Sequence, residues 1–239
     1  MAPELRVEID AAGRTTREVN AELRRRIAEG AGAVTILNPG AKHNLAVAVL
    51  EPVEIRIEGS VGYYCGGLGD GARIEVAGSA GWGLAESMLA GEVRVLGSAG
   101  SGCAAALRGG TVVVHGDAAA RAGVSMKGGA VIIGGDCGYM AGFMAQKGTL
   151  VVCGDAGEAF GDSMYTTVCY VGGRIASLGT DAVLAPMTAE DADQLRGLLA
   201  KLPPGRVAQL PEASAFKKVV SGRKLWNFDK HERIWQEAL

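Results

Sequence analysis

Three aspartates, Asp117, Asp136 and Asp155, recur at intervals of nineteen residues, and Arg174 takes the next position in the series. Aligned carboxylates beside a basic residue could bind a cation or cleave a glycosidic bond. Asp and Ser side chains also accept hydrogen bonds from backbone N–H groups at turns. The same repeat position is held earlier in the chain by Ser60, Ser79 and Ser98. We therefore expect turn formation, with cation binding and carboxylate catalysis as the alternatives.

The remaining chemically capable side chains are scattered along the chain. Cys65 and Cys103 share a repeat position, but two intervening steps of a stacked fold separate them by about 9–10 Å, beyond disulfide reach. No CxxC pair occurs among the cysteines, which are Cys65, Cys103, Cys137, Cys153 and Cys169. The three histidines show no metal-ligand spacing. We predict buried, inert thiols, and no catalytic residue, metal site or bound cofactor in this chain.

Seven glycines, which we call the marker glycines, indicate the repeating structure in which these residues lie. They recur every nineteen residues: Gly59, Gly78, Gly97, Gly116, Gly135, Gly154 and Gly173. Alternating β-branched residues precede them, as Ile74 and Val76 precede Gly78, and this alternation predicts strands. A fixed period of this size indicates one unit stacked on its copies. The predicted fold is mainly β: a single-stranded, right-handed parallel β-helix of about seven 19-residue coils with short α-helical flanks.

The repeat divides the chain into three predicted segments. Residues 1–52 form an N-terminal helix and strand that cap the stack, residues 53–186 form the β-helix, and residues 187–239 form a C-terminal helix and tail. Thr15 and Glu18 form a capping-box pattern that predicts a helix start. A second helix is predicted to begin at Thr188, with Glu190 and Asp191 in its first turn.

The tail alternates basic and large aromatic residues, a composition typical of interface anchors. Our candidates for partner contacts in it are Trp226, Phe228, Arg233 and Trp235. Lys42 and His43, in the turn before the first coil, are the other candidates. A tail folded back onto its own solenoid is the alternative interpretation.

Composition excludes several classes of protein. A formal charge of −2 over 239 residues gives no footprint for nucleic acid. No apolar run reaches the length of a membrane span, and Met1 opens no signal-peptide pattern. We expect a cytoplasmic protein that binds neither nucleic acid nor membrane.

Two glycine-rich stretches, residues 135–142 (GDCGYMAG) and 154–161 (GDAGEAFG), give the chain a family resemblance. They resemble the GXGXG domain at the C-terminus of the glutamate synthase large subunit. The likeness covers roughly residues 53–186. The glycines, Tyr139-Met140 and Phe160 match that family, whereas intervening residues depart from it. The resemblance implies the β-helical fold, in which the domain serves as a scaffold.

Residues 38–44 (NPGAKHN) and 59–66 (GSVGYYCG), with the Trp-containing tail, more closely resemble the stand-alone β-helical subunit of N-methylglutamate synthase (methylamine–glutamate N-methyltransferase). That resemblance implies a hetero-oligomer in which a glutamine amidotransferase-like subunit and an FMN-dependent, glutamate synthase-like subunit are separate chains. FMN and an iron–sulfur cluster would then belong to a partner subunit. A split glutamate synthase, a protein like the β-helical subunit of formylmethanofuran dehydrogenase, and an autonomous β-helix carbohydrate-active enzyme are the alternatives.

Overall fold

Residues 5–223, which the computed structural model describes, contain one eleven-stranded sheet wound into a β-solenoid of about seven turns. Strands β1 to β9 pair in parallel and in chain order. From β3 to β9 the register advances by nineteen residues per step, as where Ile55 pairs with Ile74 and Ile74 with Val93. The strands are β1 (Leu5–Asp10), β2 (Ala31–Leu37), β3 (Glu54–Glu58), β4 (Asp70–Val76), β5 (Ala90–Val95), β6 (Thr111–Val114), β7 (Lys127–Ile133), β8 (Lys147–Val152), β9 (Val168–Val171), β10 (Ala182–Ala185) and β11 (Lys217–Ser221). The parallel β-helix prediction is confirmed.

The hydrophobic core fills the bore of the solenoid. Alternate strand residues, such as Val131 and Ile133, are fully buried there because strand side chains point to opposite faces. Met88 and Met126 pack in the same core. The other side chains of each strand form the outer face of the sheet, so the solenoid presents a repeated exterior over a continuous apolar interior.

Close approach between coils explains most marker glycines. A Cβ on Gly135 would lie 2.0 Å from Oδ1 of Asp117 in the preceding coil. Gly59 alone among the seven has a left-handed φ, 137°. A second glycine series does need that conformation, as at Gly91, whose φ is 103° and whose Cβ would lie 2.2 Å from the Ala72 carbonyl oxygen.

Each coil contains a turn-rich segment between its marker glycine and the next strand, which we call the arc. In the first glycine-marked coil the arc is residues 62–69, and later coils have equivalent segments. Alternate arc residues are left-handed: Tyr64 at φ 59°, Gly66 at 67° and Leu68 at 56°. This conformation costs non-glycine residues roughly 1–2 kcal/mol each. Hydrogen bonds to neighbouring coils offset the cost, since the N–H groups of Tyr64 and Leu68 donate to the Trp82 and Glu86 carbonyls at 2.8 and 2.9 Å.

Helix α1 (Thr16–Ala28) closes the N-terminal end of the bore. Thr15 caps it through a capping box with Glu18, as predicted. Its Val19 and Leu23 are buried. The Asn20 side chain provides hydrogen-bond partners for two backbone groups of the adjoining segment. It donates to the Asn44 carbonyl at 2.7 Å and accepts from the Ala46 N–H at 3.0 Å.

The parallel sheet ends with a change of direction. Strand β11 pairs antiparallel with β9, and β10 pairs antiparallel with β11. Between them in the chain lie α2 (Ala189–Leu199) and the short α3 (Pro204–Val207). The predicted second helix is α2, and Thr188 is its N-cap residue. Leu195 and Leu199 of α2 are buried against the outer face of the last coils.

Candidate partner-binding surfaces

The residues that directly follow the marker glycines form a hydrogen-bonded ladder along one corner of the solenoid. They are Ser60, Ser79, Ser98, Asp117, Asp136 and Asp155. Each side chain accepts the backbone N–H of the equivalent residue in the next coil. Oγ of Ser79 accepts from Ser98 at 3.2 Å, and Oδ1 of Asp117 accepts from Asp136 at 2.8 Å. The ladder ends at Arg174, whose N–H donates to Asp155 at 2.7 Å. The predicted turn-forming role is confirmed, and one oxygen of each aspartate is committed to it.

Within residues 5–223, no group of three or more His, Cys, Asp or Glu side chains could hold a metal ion. The five cysteines are free and buried. Burial raises the pKa of the Cys65 and Cys103 thiols to about 12, so the nucleophilic thiolate is scarce at neutral pH. The expectation of buried thiols is confirmed.

The two candidates before the first glycine-marked coil have defined contacts. Nδ1 of His43 accepts the Tyr63 N–H at 2.8 Å, and the two rings stack at 4.3 Å between centroids. A Cβ on Gly62 would lie 2.1 Å from that nitrogen, so glycine is required there. The Lys42 carbonyl accepts the Gly62 N–H at 2.9 Å. The tail candidates Trp226, Phe228, Arg233 and Trp235 lie outside the described residues.

Exposed apolar side chains cluster on the arcs of the first coils, a feature that the sequence reasoning missed. Tyr63 stacks on Trp82 at 5.3 Å, which extends the stack that His43 begins. Trp82 is 58% exposed. The aromatic patch, as we call it, comprises Tyr63, Tyr64, Leu68, Trp82 and Leu89. The nineteen-residue spacing of Tyr63 and Trp82 was the signal that could have found it.

A cavity of about 300 Å³ opens at the edge of the aromatic patch, of which only Tyr64 and Leu68 line it. Its walls include Tyr64, Leu68 and Val47, and Glu86 contributes a carboxylate. That carboxylate makes no ion pair with any residue from 5 to 223. The cavity is therefore mainly apolar, although Asn44 and Ser87 also line it, and the Arg24 guanidinium donates to the Val47 carbonyl of its wall at 3.2 Å.

The outer face of the sheet divides into two halves along the solenoid axis. Residues that pair from strand to strand form a row along this face, which is charged on the N-terminal strands and apolar on the C-terminal ones. The charged half comprises Glu54, Arg56, Arg73, Glu75, Glu92 and Arg94 on β3 to β5. The covered half comprises Val113, Ile132, Val151 and Tyr170 on β6 to β9. Helix α2 packs on the covered half, whereas the charged half lines an open cavity of about 330 Å³.

Asp191 on α2 holds the covered half together at its C-terminal end. It accepts from the Tyr170 hydroxyl at 2.8 Å and from the Lys218 ammonium at 2.7 Å. The Lys218 ammonium and the Thr188 cap bonds keep the pKa of the Asp191 carboxyl well below its usual range. At the other end, Lys201 pairs with Glu92 at 2.7 Å, which marks the border between the two halves.

Comparison with known proteins gives the chain a family. No protein-family model matches it. A curated relative, "Protein GlxC" of Rhizobium meliloti (strain 1021), is 51% identical over 223 residues, which are 92% of this chain and 96% of that protein. The chain belongs to the GlxC family. Because the aligned length exceeds the 53–186 repeat block, the likeness to GlxC includes flanking sequence as well as coils.

This GlxC family member has no membrane-crossing helix in the part that the structure describes: none of its helices combines the necessary length and hydrophobicity.

Proposed function

We propose that this chain is a non-catalytic scaffolding subunit of a cytoplasmic, glutamate synthase-like complex. The complex that best fits the sequence motifs is N-methylglutamate synthase, which converts L-glutamate and methylamine to N-methylglutamate and ammonia. In this proposal the chain joins an amidotransferase-like subunit to an FMN- and iron–sulfur-containing, glutamate synthase-like subunit. The chain itself binds neither cofactor.

One observation carries the proposal: the repeated side chains that could do chemistry are engaged in holding one coil to the next. Oδ1 of Asp136 accepts the Asp155 N–H at 2.7 Å, as the serines of the earlier coils accept theirs. This use of the ladder disfavours an autonomous carbohydrate-active enzyme. The confirmed solenoid fold and membership of the GlxC family are consistent with the GXGXG resemblance.

A stiff solenoid suits the task of positioning other subunits. Its coils are joined by in-register strands, by the ladder and by a continuous bore, so the two ends keep a fixed separation. Active sites held at a fixed separation pass an intermediate without dilution into solvent. The benefit of such a subunit is geometric, and it requires no reacting group.

The test is purification of the tagged full-length chain from its native source, followed by activity assays. We expect two larger subunits and a flavin absorbance spectrum to accompany it. The complex should form N-methylglutamate from glutamate and labelled methylamine, whereas the isolated chain should turn over nothing. A complex without flavin, or turnover by the isolated chain, would contradict the proposal. Incorporation of glutamine-derived ammonia in place of methylamine would instead assign a split glutamate synthase.

A further inference from the structure

The described chain ends on the arc side of the solenoid. Residues 177–180 stack on the arc of the coil before them, since the Ser163 N–H donates to the Thr180 carbonyl at 2.9 Å. Asp181 follows directly and holds the end of the described chain. Its carbonyl accepts the Gly222 N–H at 2.7 Å, and its carboxylate pairs with Arg223 at 2.9 Å. Residues 224–239, which we call the final segment, therefore begin beside the last arc.

Two groups of exposed apolar side chains lie on the arcs at different distances from Asp181. Tyr139 and Met144, which share one coil, are 49% and 39% exposed. Their coil lies two steps from the last arc, a distance of about 10 Å. Trp82 of the aromatic patch lies five steps away, at about 24 Å. Contiguous apolar patches on soluble proteins mark interaction sites.

The final segment has a composition that favours burial against a surface. Its large apolar side chains are Leu225, Trp226, Phe228, Ile234, Trp235 and Leu239. Its charges cancel, because Lys224, Lys230 and Arg233 balance Asp229, Glu232 and Glu237. Segments that remain unpacked in water combine few apolar residues with a high net charge, and this segment does neither.

The two tryptophans of the final segment are within reach of the two exposed groups. Trp226 lies three residues after Arg223, a reach of about 10 Å that matches the distance to Tyr139 and Met144. Trp235 lies twelve residues after Arg223. Twelve residues span about 18 Å as an α-helix and about 40 Å when extended, and the ~24 Å to Trp82 lies between these limits.

Charge also matches along this path. Arg121 lies on the coil next to Tyr139, on the side of Trp82, where its N–H donates to the Tyr139 carbonyl at 2.8 Å. Its guanidinium is exposed and makes no ion pair with any residue from 5 to 223. Asp229 lies between the two tryptophans in the sequence, so the final segment carries an acceptor for this cation at the corresponding place.

We propose that the final segment folds back along the arcs, with Trp226 packed on Tyr139 and Met144 and Trp235 packed on Trp82. Covalent attachment favours this occupant over a partner or a second copy, because an attached segment is present at an effective concentration of about 1 mM. The chain then covers its own exposed aromatic face, and a subunit that binds this face must first displace the segment. The inference does not depend on the proposed scaffolding function.

Trp82 can report the cover directly. The double variant Trp226→Phe/Trp235→Phe keeps large rings in the final segment and leaves Trp82 as the chain's one tryptophan. Acrylamide quenching of its fluorescence is compared in the full-length double variant and in the same chain without residues 224–239. Trp82 is 58% exposed when uncovered, so loss of the segment should raise the quenching constant about twofold.

Single substitutions test the anchor near the start of the segment. Met144→Ala, added to the full-length double variant, should raise the quenching constant of Trp82 because it weakens the hold on residue 226. Leu96→Ala is the matched control, since Leu96 is an exposed leucine outside the arcs, and it should leave the constant unchanged. Thermal unfolding of each variant checks that the solenoid is intact.

Crosslinking locates the final segment independently of fluorescence. Met144→Cys combined with Asn227→Cys places one thiol beside Tyr139 and one beside Trp226, and this pair should form a disulfide under mild oxidation. Lys147→Cys combined with Asn227→Cys is the control, because Lys147 is exposed on the same coil but outside the arc. The five native cysteines are buried, so they should not compete.

Four results would overturn the proposal. Equal quenching in the full-length and shortened chains would show that the segment leaves Trp82 uncovered. Equal disulfide yields from the Met144 and Lys147 pairs would show that it has no fixed place on the arcs. Quenching that falls as the shortened chain is concentrated would make a second copy the occupant. Quenching that falls only on addition of the expected partner subunits would make a partner the occupant. The scaffolding function would stand after any of these results, because co-purification tests it separately.

Discussion

Arg56 in the charged half and Ile132 in the covered half occupy the same repeat position on the outer face. Their backbones pair in one continuous parallel sheet, and residues flanking each of them face the same bore. What differs is the neighbour: Arg56 lies open beside Glu75, whereas Ile132 is fully buried under the C-terminal segment. A repeat therefore fixes the course of the chain, while the residue type at each outward position reports what covers it.

The largest effect should come from placing a charge in the covered half. Ile132→Asp would bury an unpaired carboxylate beneath α2 and should destabilise the protein by about 4 kcal/mol or more. Thr35→Asp, in the same row but beside the open cavity, should cost less than about 1 kcal/mol. Urea unfolding measures both changes. Equal losses would mean that the halves do not differ in burial.

Thiol labelling sharpens that test. Cys153 lies with Ile132 under the C-terminal segment, whereas Cys65 and Cys103 lie in the bore. In Ile132→Asp, the Cys153 thiol should react with a thiol reagent before the bore thiols do, because the segment over it has lifted. Simultaneous reaction of all three would indicate global unfolding instead.

Removal of Asp191 should have the next largest effect. Asp191→Ala leaves the Tyr170 hydroxyl and the Lys218 ammonium without their acceptor, at a cost of about 2–4 kcal/mol. The measurement is the free energy of unfolding of Asp191→Ala. The control is Glu190→Ala, which alters the exposed neighbouring residue. A loss no greater than in the control would show that α2 is held by apolar packing alone.

Asp191 also predicts a pH dependence. Its folded pKa is depressed, so its ionised form contributes stability that is present above the unfolded pKa, about 4. That contribution is lost as the pH falls below about 4 through the folded value. Unfolding free energies between pH 7 and pH 3 should therefore fall less steeply in Asp191→Asn than in the wild type. Parallel curves would contradict this assignment.

The ladder should respond equally in both parts of the solenoid. Asp136→Ala and Ser79→Ala each remove the acceptor of one backbone N–H and should cost about 1 kcal/mol. Asp136→Asn keeps an oxygen acceptor and should change stability by less than about 0.5 kcal/mol. Chemical unfolding of the three variants is the measurement. A large loss in Asp136→Asn would mean that the charge itself matters.

The smallest effect is expected in the charged half. Arg56 pairs with Glu58 and Glu75 at the exposed surface. A double-mutant cycle of Arg56→Ala and Glu75→Ala should give a coupling of about 0.5 kcal/mol, which falls as salt is added. A coupling above about 2 kcal/mol would show that this half is shielded from solvent.

The sequence predicted the repeat, the strands within it and the starts of both long helices, because each depends on local spacing. Gly135 predicts a coil corner, and Thr15 and Thr188 predict helix starts, whatever lies elsewhere in the chain. Strands β1 and β11 were missed. The place of β1 depends on its pairing with β2 across helix α1, and that of β11 beside β9 depends on a return of the chain after α2. Local propensity carries little information about such a pairing.

The binding surfaces were predicted less well than the fold. The left-handed conformation of Tyr64 and Leu68 follows from their place in the arc, which residue type alone does not indicate. The position of Glu86 at the cavity likewise depends on which side chains neighbouring coils bring near it. His43 was selected from sequence, but its stacking on Tyr63 required the register between coils. Partner surfaces in a solenoid are properties of stacked positions, so they emerge once the coils are aligned.

The constant nineteen-residue step turns the solenoid into a molecular ruler. Deleting one complete unit between marker glycines would preserve every register and bring the two ends closer by about 4.8 Å, whereas deleting eighteen residues would turn bore residues outward. Evolution can therefore adjust the spacing between whatever is attached at the ends in discrete increments, by duplicating or losing whole units.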